Sequence, residues 1–258
     1  MRLYFKYLKL HFKSAMQYKT SFLLSFISQA FAFLGFYITI LCLFNKFPNV
    51  AGFNMYEVLL TFSIISFGSS FCEIFFRGID QFDHLIEKGE FDRLLLKPKN
   101  ILFQVVVEEA DFVRSSRLLQ SIIFLIIALV HLKIKYNLLK ILILILMLSG
   151  SIIVFFGLLV LSAAYCFITI KGLEVRNVFT CGCRDMAQYP IGIFSRGMMF
   201  FLTYIIPFGC INYYPLLYLL GKSNNILFIF TPLLTIIYLI PCIIIFYKGI
   251  KKYTSTGS

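Results

Sequence analysis

Long apolar stretches without a charged residue limit the possible folds of this chain more than any other feature. Hydrophobic residues make up 60% of the 258 residues and charged residues only 14%, whereas a soluble domain carries roughly 25% charged residues. A helix needs about 20 apolar residues to cross the hydrocarbon layer of a bilayer, and several windows reach that length. The composition therefore predicts an all-α integral membrane protein with a single domain over residues 1–258.

Six membrane-spanning helices are predicted from the positions of these stretches. They occupy approximately residues 21–44, 55–76, 118–130, 141–170, 193–207 and 226–246. The fourth is longer than one crossing requires, which predicts that it tilts or projects beyond the bilayer. The polar residues 171–189 that follow it are predicted to form a short cytoplasmic helix.

The distribution of basic residues predicts which side of the membrane each loop occupies. With six spans and both termini in the cytoplasm, 19 of the 24 Lys and Arg residues fall in inner segments and five in outer loops. Cytoplasmic loops carry such an excess of positive charge, and an odd number of spans would remove the bias. The net charge of +12 is therefore typical of a multi-pass membrane protein and does not indicate a nucleic-acid partner.

Residues 1–19 are predicted to form an amphipathic helix that precedes the first span. One face carries basic residues and another carries Phe5, Leu8 and Phe12. The basic residues are Arg2, Lys6, Lys9 and Lys13. This pattern is typical of a helix that lies in the membrane interface against anionic lipids. The alternative is an ordinary basic flank of the first span.

Residues 77–117 form a polar insert between the second and third spans. Eight of the 12 acidic residues lie here. Apolar residues at helical spacing up to Ile86 predict one helix that Gly89 ends, and residues 90–97 predict a second that Pro98 ends. Because the inner leaflet is anionic and repels carboxylates, the acidic faces favour docking on a protein. The alternative is a solvated loop whose acids pair with its own basic residues.

Residues 208–221 are apolar but interrupted, which predicts a short helix or re-entrant hairpin in the outer leaflet. The residues that indicate this structure, and an outer gate, are Pro207, Tyr213, Tyr214, Pro215 and Gly221. Tyrosine favours the membrane interface. Broken backbone at membrane depth has to be packed in protein or line a cavity.

The predicted membrane interior contains no ionisable residue near the middle of any span. Glu73 lies at the inner end of the second span, where it is placed to pair with Arg77. The lack of buried charge argues against an ion-coupled transporter and against a charge-lined channel. No phosphate-binding G-x-x-x-x-G-K-[ST] loop and no nucleophile–base pair occurs, so no catalytic or cofactor site is predicted. Cys181 and Cys183 leave open a metal-binding or redox role, but ordinary packing of small residues is favoured.

The sequence GEFDRLLLKP at residues 89–98, followed by Phe103, Gln104 and Val105, resembles the signature of the ABC type-2 permease family. Residues 206–221 resemble a second stretch of that family, whereas Lys97 stands where the family often has arginine. The resemblance implies a six-span exporter subunit with an N-terminal interfacial helix. It also implies a cytoplasmic coupling helix between spans two and three, and a short hairpin between spans five and six.

The resemblance also implies partners and residue roles. Two permeases, identical or paralogous, would sit on two copies of a cytoplasmic ATPase that binds the ATP, in a bacterial cell membrane. The residues implied in coupling are Gly89, Glu90, Phe91, Asp92, Arg93, Leu94 and Leu95. Of these, Phe91, Leu94 and Leu95 are expected to bury against the ATPase. The expected substrate is apolar or amphipathic: a drug, a lipid or an antimicrobial peptide. The alternative is a scaffold or sensor that recruits a cytoplasmic partner without transport.

Overall fold

The computed structural model describes residues 2–50, 52–134, 137–169 and 177–253, and it is helical throughout its main elements. Five of the described helices are long and apolar enough to cross a membrane. They are Leu3–Lys46, Met55–Phe75, Phe112–His131, Leu138–Cys166 and Leu227–Lys252. A further candidate is a bent pair, Arg196–Ile205 and Gly209–Leu219, whose two arms differ in direction by 89°. The predicted all-α class is confirmed, and the bent pair counts as a sixth candidate span when it is taken as one crossing.

The N-terminal helix α1 (Arg2–Ala15) leads through a short 3-10 turn into α2 (Lys19–Lys46). Its exposed face carries Lys6, Lys9 and Lys13, as predicted, whereas the side chain of Arg2 lies outside the described residues. A face that the sequence did not reveal packs on protein: the Tyr4 hydroxyl donates to the carbonyl of Phe75, at the end of the next long helix, at 3.2 Å, and the His11 ring lies 3.3 Å from the Val107 carbonyl of the insert. Helix α1 is therefore anchored to protein as well as amphipathic.

Helix α3 (Met55–Phe75) lies at the centre of the bundle. A capping box of Asn54 and Glu57 begins it. Nearly all of α3 is buried, whereas α2 exposes most of its surface. It packs against α8 (Ser115–His131) and α9 (Leu138–Cys166). Gly68 touches Ser151 of α9, a close approach that a small residue permits between membrane helices.

The insert folds into four short helices. They are α4 (Arg77–Asp80), α5 (Phe82–Glu87), α6 (Glu90–Leu95) and α7 (Ile101–Glu108). The single helix predicted up to Gly89 is thus divided, but the predicted break at Gly89 is present, with φ at +65°. The insert packs through aromatic rings onto the C-terminal ends of α9 and of α15 (Leu234–Lys252), the last helix, which follows the short α14 (Leu227–Phe230).

Residues 177–192 pack differently from the prediction. A π-helical turn (Val178–Gly182) packs on α9, and α10 (Cys183–Ala187) runs along α3. Arg184 bonds Glu73 in the last turn of α3 at 3.1 Å, and the Gln188 carbonyl accepts from Thr61 in the second turn at 3.0 Å. Those two positions of α3 are about 18 Å apart. Residues 177–189 therefore do not form a separate helix but pack against the bundle, while residues 171–176 lie outside the described part. The charge of Arg184 suggested solvent, but Glu73 neutralises it inside the bundle.

The bent pair also differs from the prediction. Its first arm is α11 (Arg196–Phe200) with a π-helical turn (Phe201–Ile205), and its second is α12 (Gly209–Asn212) with α13 (Tyr214–Leu219). The predicted hairpin at residues 208–221 corresponds to the second arm only. The first arm occupies the residues assigned to the fifth span. An apolar run specifies burial in protein or lipid, and it does not distinguish one arm of a hairpin from a complete crossing.

Candidate functional site

Helix α6, predicted to couple the permease to an ATPase, divides its residues between two faces. Phe91 and Leu94 are buried within the chain itself. The Phe91 ring lies 5.1 Å from Phe82, 5.6 Å from Phe167 and 5.0 Å from Tyr253, measured between ring centroids. The expectation that Phe91 and Leu94 contact the ATPase directly is therefore wrong in this structure. They attach α6 to the rest of the molecule.

The exposed side of α6 carries a different set of residues. Leu96 is 86% exposed and Leu95 is 38% exposed. We call the exposed residues around these two leucines the docking patch: Arg93, Leu95, Leu96, Lys97 and Lys99. Three consecutive leucines cannot share one face of a helix, because successive residues turn by about 100°. The rule therefore indicates that at least one of Leu94, Leu95 and Leu96 points away from the buried face. The sequence analysis did not draw this conclusion and did not select Leu96.

The charges at α6 are mostly solvent-exposed. Arg93 and Glu90 approach to 3.7 Å, and His84 and Glu87 of α5 approach to 3.6 Å. Exposed pairs of this kind contribute little to stability, about 0–1 kcal/mol. They remain available to orient a partner. Gly89, with its positive φ, sets the angle between α5 and α6.

Glu73 forms the strongest charge cluster of the described residues, and it differs from the prediction. Its carboxylate accepts from Arg114 at 2.7 Å, from Arg117 at 3.1 Å and from Arg184 at 3.1 Å. Arg77, the predicted partner, bonds Asp80 instead. The pairing of Glu73 with Arg77 is therefore wrong. Sequence spacing identifies neighbours on one helix, and it cannot identify partners 41 and 111 residues away.

Two of the residues predicted for an outer gate, Tyr213 and Gly221, lie near the N-terminal end of α3, whereas Pro207 lines a groove beside α15. The rings of Tyr213 and Phe53 lie 6.3 Å apart. Gly221, with φ at +72°, turns the chain, and the next residue, Lys222, reaches Glu57 at 2.6 Å and the Gly52 carbonyl at 2.8 Å. The second arm of the bent pair is thus tied to the start of α3. Pro215 is buried in the first turn of α13, which tolerates a missing N–H.

A family model described as ABC-2 family transporter protein matches residues 26–257. The chain belongs to the ABC-2 family. The match begins at residue 26, about two turns into α2, continues through α15, and leaves α1 outside. Comparison with curated proteins and with solved structures gave no significant match.

An ABC-2 family protein is the membrane permease of a transporter and lacks an ATPase domain. This permease is a multi-pass membrane protein. Among its described residues, no group of three His, Cys, Asp or Glu side chains is placed to hold a metal ion. Cys181 and Cys183 stand apart in burial, one exposed and one buried.

Two grooves of the permease flank α6. One has a volume of about 610 Å³, and its wall includes Glu90, Glu108 and Glu109. The other, about 250 Å³, lies between α1, α6 and α7 and includes Tyr7 and Phe103. The docking patch therefore stands between an acidic groove and a more apolar one, an arrangement that can orient a protein partner.

Proposed function

We propose that this ABC-2 permease is the membrane subunit of an ATP-driven exporter in a bacterial cell membrane. It pairs with a second permease, identical or paralogous, and with two copies of a separate cytoplasmic ATPase. Family membership supports this partnership, because ABC-2 permeases generally pair with ABC ATPase subunits. The insert transmits the closure of the ATPases to the membrane helices.

The docking patch is the observation that carries this proposal. Leu96, the C-cap residue of α6, exposes 86% of its surface, while Phe91 holds the buried face of that short helix. A large apolar side chain in water is unfavourable unless a partner covers it. Interface anchors are apolar groups at the centre of a contact with charged residues at the rim, and Arg93, Lys97 and Lys99 provide that rim. Because Phe91 and Leu94 fix α6, force on the patch is passed to the bundle.

We propose six crossings with both termini in the cytoplasm. The fifth crossing includes residues 177–188, and the bent pair enters from the outer side and returns to it. The path of α10 along α3 supports this arrangement. Placing Arg196 on the outer side leaves 18 of the 24 basic residues inside, so the positive-inside bias persists. Helix α1 then lies at the inner leaflet, with Lys6, Lys9 and Lys13 toward anionic lipid headgroups.

An apolar or amphipathic substrate, such as a drug, a lipid or an antimicrobial peptide, suits the permease best. A groove of about 470 Å³ lies between the bent pair and α15, and its wall is mainly apolar, with Tyr204, Ile205, Tyr238 and Ile245 among its residues. The strong charges of the described residues gather at the two ends of α3 and not along this groove. The apolar part of a substrate can move along this wall, because an apolar group gives up no favourable hydration when it leaves water.

Copurification tests the ATPase partnership. Leu96→Asp places a charge at the centre of the docking patch, and loss of an anchor costs about 2 kcal/mol or more. Binding of the ATPase should weaken roughly thirtyfold. The control is Phe47→Asp, an exposed apolar residue after α2, on the proposed outer side. Wild-type yield of the ATPase with Leu96→Asp would refute the docking assignment.

Transport distinguishes an exporter from a scaffold or sensor. Inside-out vesicles that contain the complex should accumulate an amphipathic fluorescent dye or a lipid analogue when ATP is added to the outer medium, where the ATPase is exposed. A sulfonated hydrophilic dye is the matched control and should stay outside. If the ATPase binds but no tested amphiphile moves with ATP, the scaffold interpretation replaces the exporter.

A further inference from the structure

A single carboxylate joins three separate parts of this chain. Glu73 lies in the last turn of α3, while Arg114 and Arg117 lie at the end of the insert, Arg114 in a 3-10 turn (Phe112–Arg114) and Arg117 in the first turn of α8. Arg184 belongs to α10. All three guanidinium groups bond the same carboxylate, at 2.7, 3.1 and 3.1 Å. We call Glu73 with these three arginines the charge junction.

The charge junction depends on the carboxylate. The four side chains are only 16–21% exposed, so water screens their charges weakly. Without Glu73, three positive groups would remain close together and repel one another. Other charges face the cluster: Asp111 bonds Arg114 at 3.0 Å, and Asp185 lies 3.4 Å from Arg184. The Arg77 and Asp80 pair lines the adjoining cavity of about 160 Å³. In these pairs Asp111 contacts Arg114 and Asp185 contacts Arg184, so neither carboxylate joins the start of α8 to α10 as Glu73 does.

On one side, the charge junction is continuous with the insert. The Asp111 amide donates to the Ile74 carbonyl at 3.2 Å, next to Glu73. Asp111 also caps the turn that carries Arg114. Gly78 of α4 packs against the Val105 backbone of α7, which holds the insert together as one unit. A displacement of the insert therefore moves the arginine side of the charge junction.

On the other side, the charge junction is continuous with the bent pair. Helix α10 ends three residues after Arg184, and the Ala187 carbonyl accepts a hydrogen bond from the buried side-chain amide of Asn212 in α12. The Gln188 carbonyl accepts from Thr61 of α3. Helix α10 thus touches Glu73 at one end and the bent pair at the other.

We propose that Glu73 is a positioning residue that couples the insert to the bent pair through α10. This inference rests on the proposed function, in which an ATPase displaces the insert. In the present structure the charge junction holds α10 against α3. When the insert moves, Arg114 and Arg117 draw the Glu73 carboxylate away from Arg184, and α10 then releases Asn212 and with it the bent pair.

Two native cysteines report on the two ends of this connection. Cys183 is next to Arg184 in α10, and Cys210 lies in α12, both buried. Cys242 in α15 is also buried and serves as the control for overall folding. Each is kept as the single cysteine of a variant, and its modification by N-ethylmaleimide is timed in lipid nanodiscs.

For the permease alone, Glu73→Gln should accelerate modification of Cys183 and of Cys210 about tenfold, the scale of a typical coupling between sites. Cys242 should keep its wild-type rate, and Glu73→Asp should restore slow modification. Glu57→Gln, at the other end of α3, is the matched control and should leave Cys183 unchanged. Acceleration of Cys183 without Cys210 would mean a local structural role and would overturn the proposal.

For the complex with its ATPase, ATP should accelerate Cys183 and Cys210 in the wild type, and Glu73→Gln should remove that response while the ATPase still copurifies. Wild-type response in Glu73→Gln overturns the coupling role. Failure of the wild-type permease to bind any ATPase is a separate result, which refutes the proposed function and leaves the measurements on the permease alone as they stand. If Glu73→Gln also accelerates the modification of Cys242, that variant has lost its overall fold. Arg184→Lys then takes its place, and the rates of Cys183, Cys210 and Cys242 are compared in the same way.

Discussion

Replacement of Phe91 is the sharpest test of whether its ring stabilises the permease itself or contacts the ATPase. Phe91→Ala removes a ring that is fully buried and packed against Phe82, Phe167 and Tyr253. Truncation of a buried phenylalanine costs about 3–5 kcal/mol, and three lost ring pairs place this site at the upper part of that range, about 4–5 kcal/mol. The insert should therefore detach from the ends of α9 and α15.

Limited proteolysis and thermal melting of the purified permease measure this effect. Cleavage within residues 77–117 should become much faster in Phe91→Ala, and the melting temperature should fall. Leu96→Ala is the matched control, because an exposed truncation changes stability by less than about 0.5 kcal/mol. If Phe91→Ala melts and resists protease like the wild type but loses its ATPase, the ring is a contact residue and the burial argument is wrong.

Three further changes test separate parts of the structure. Lys222→Ala leaves the buried Glu57 carboxylate without its cation, so the melting temperature should fall, and adding Glu57→Gln should recover part of the loss. Gly89→Ala forces a left-handed backbone on alanine and should destabilise by about 1 kcal/mol; Gly35→Ala, with no described atom within 4 Å of the added methyl group, should not. A single cysteine at Arg196 should react with an impermeant reagent from outside the cell, whereas protection there with reaction from the cytoplasm would restore residues 193–207 as the fifth crossing.

The chain by itself determined the class of the protein and most of its long helices. Uncharged windows require burial in a bilayer, and a helix is the structure that satisfies its own backbone there. The predicted break at Gly89 is also local, because a positive φ is a property of one residue. The family signature at residues 89–98 is likewise contained in a short stretch of sequence.

Only the tertiary structure decided which residues meet. Periodicity placed Phe91 and Leu94 on one apolar face of α6, but it could not tell whether that face meets the chain's own aromatic residues or a partner. It could not show that Glu73 binds arginines from α8 and α10, because those contacts join residues far apart in the chain.

The same limit applies to the polar residues 171–189, which were predicted to form a short cytoplasmic helix. In the folded bundle the charge of Arg184 is compensated by Glu73, and residues 183–188 pack along the most buried helix. The free energy of a charge in the membrane depends on its partners, and partners are a property of the three-dimensional structure and not of the local sequence.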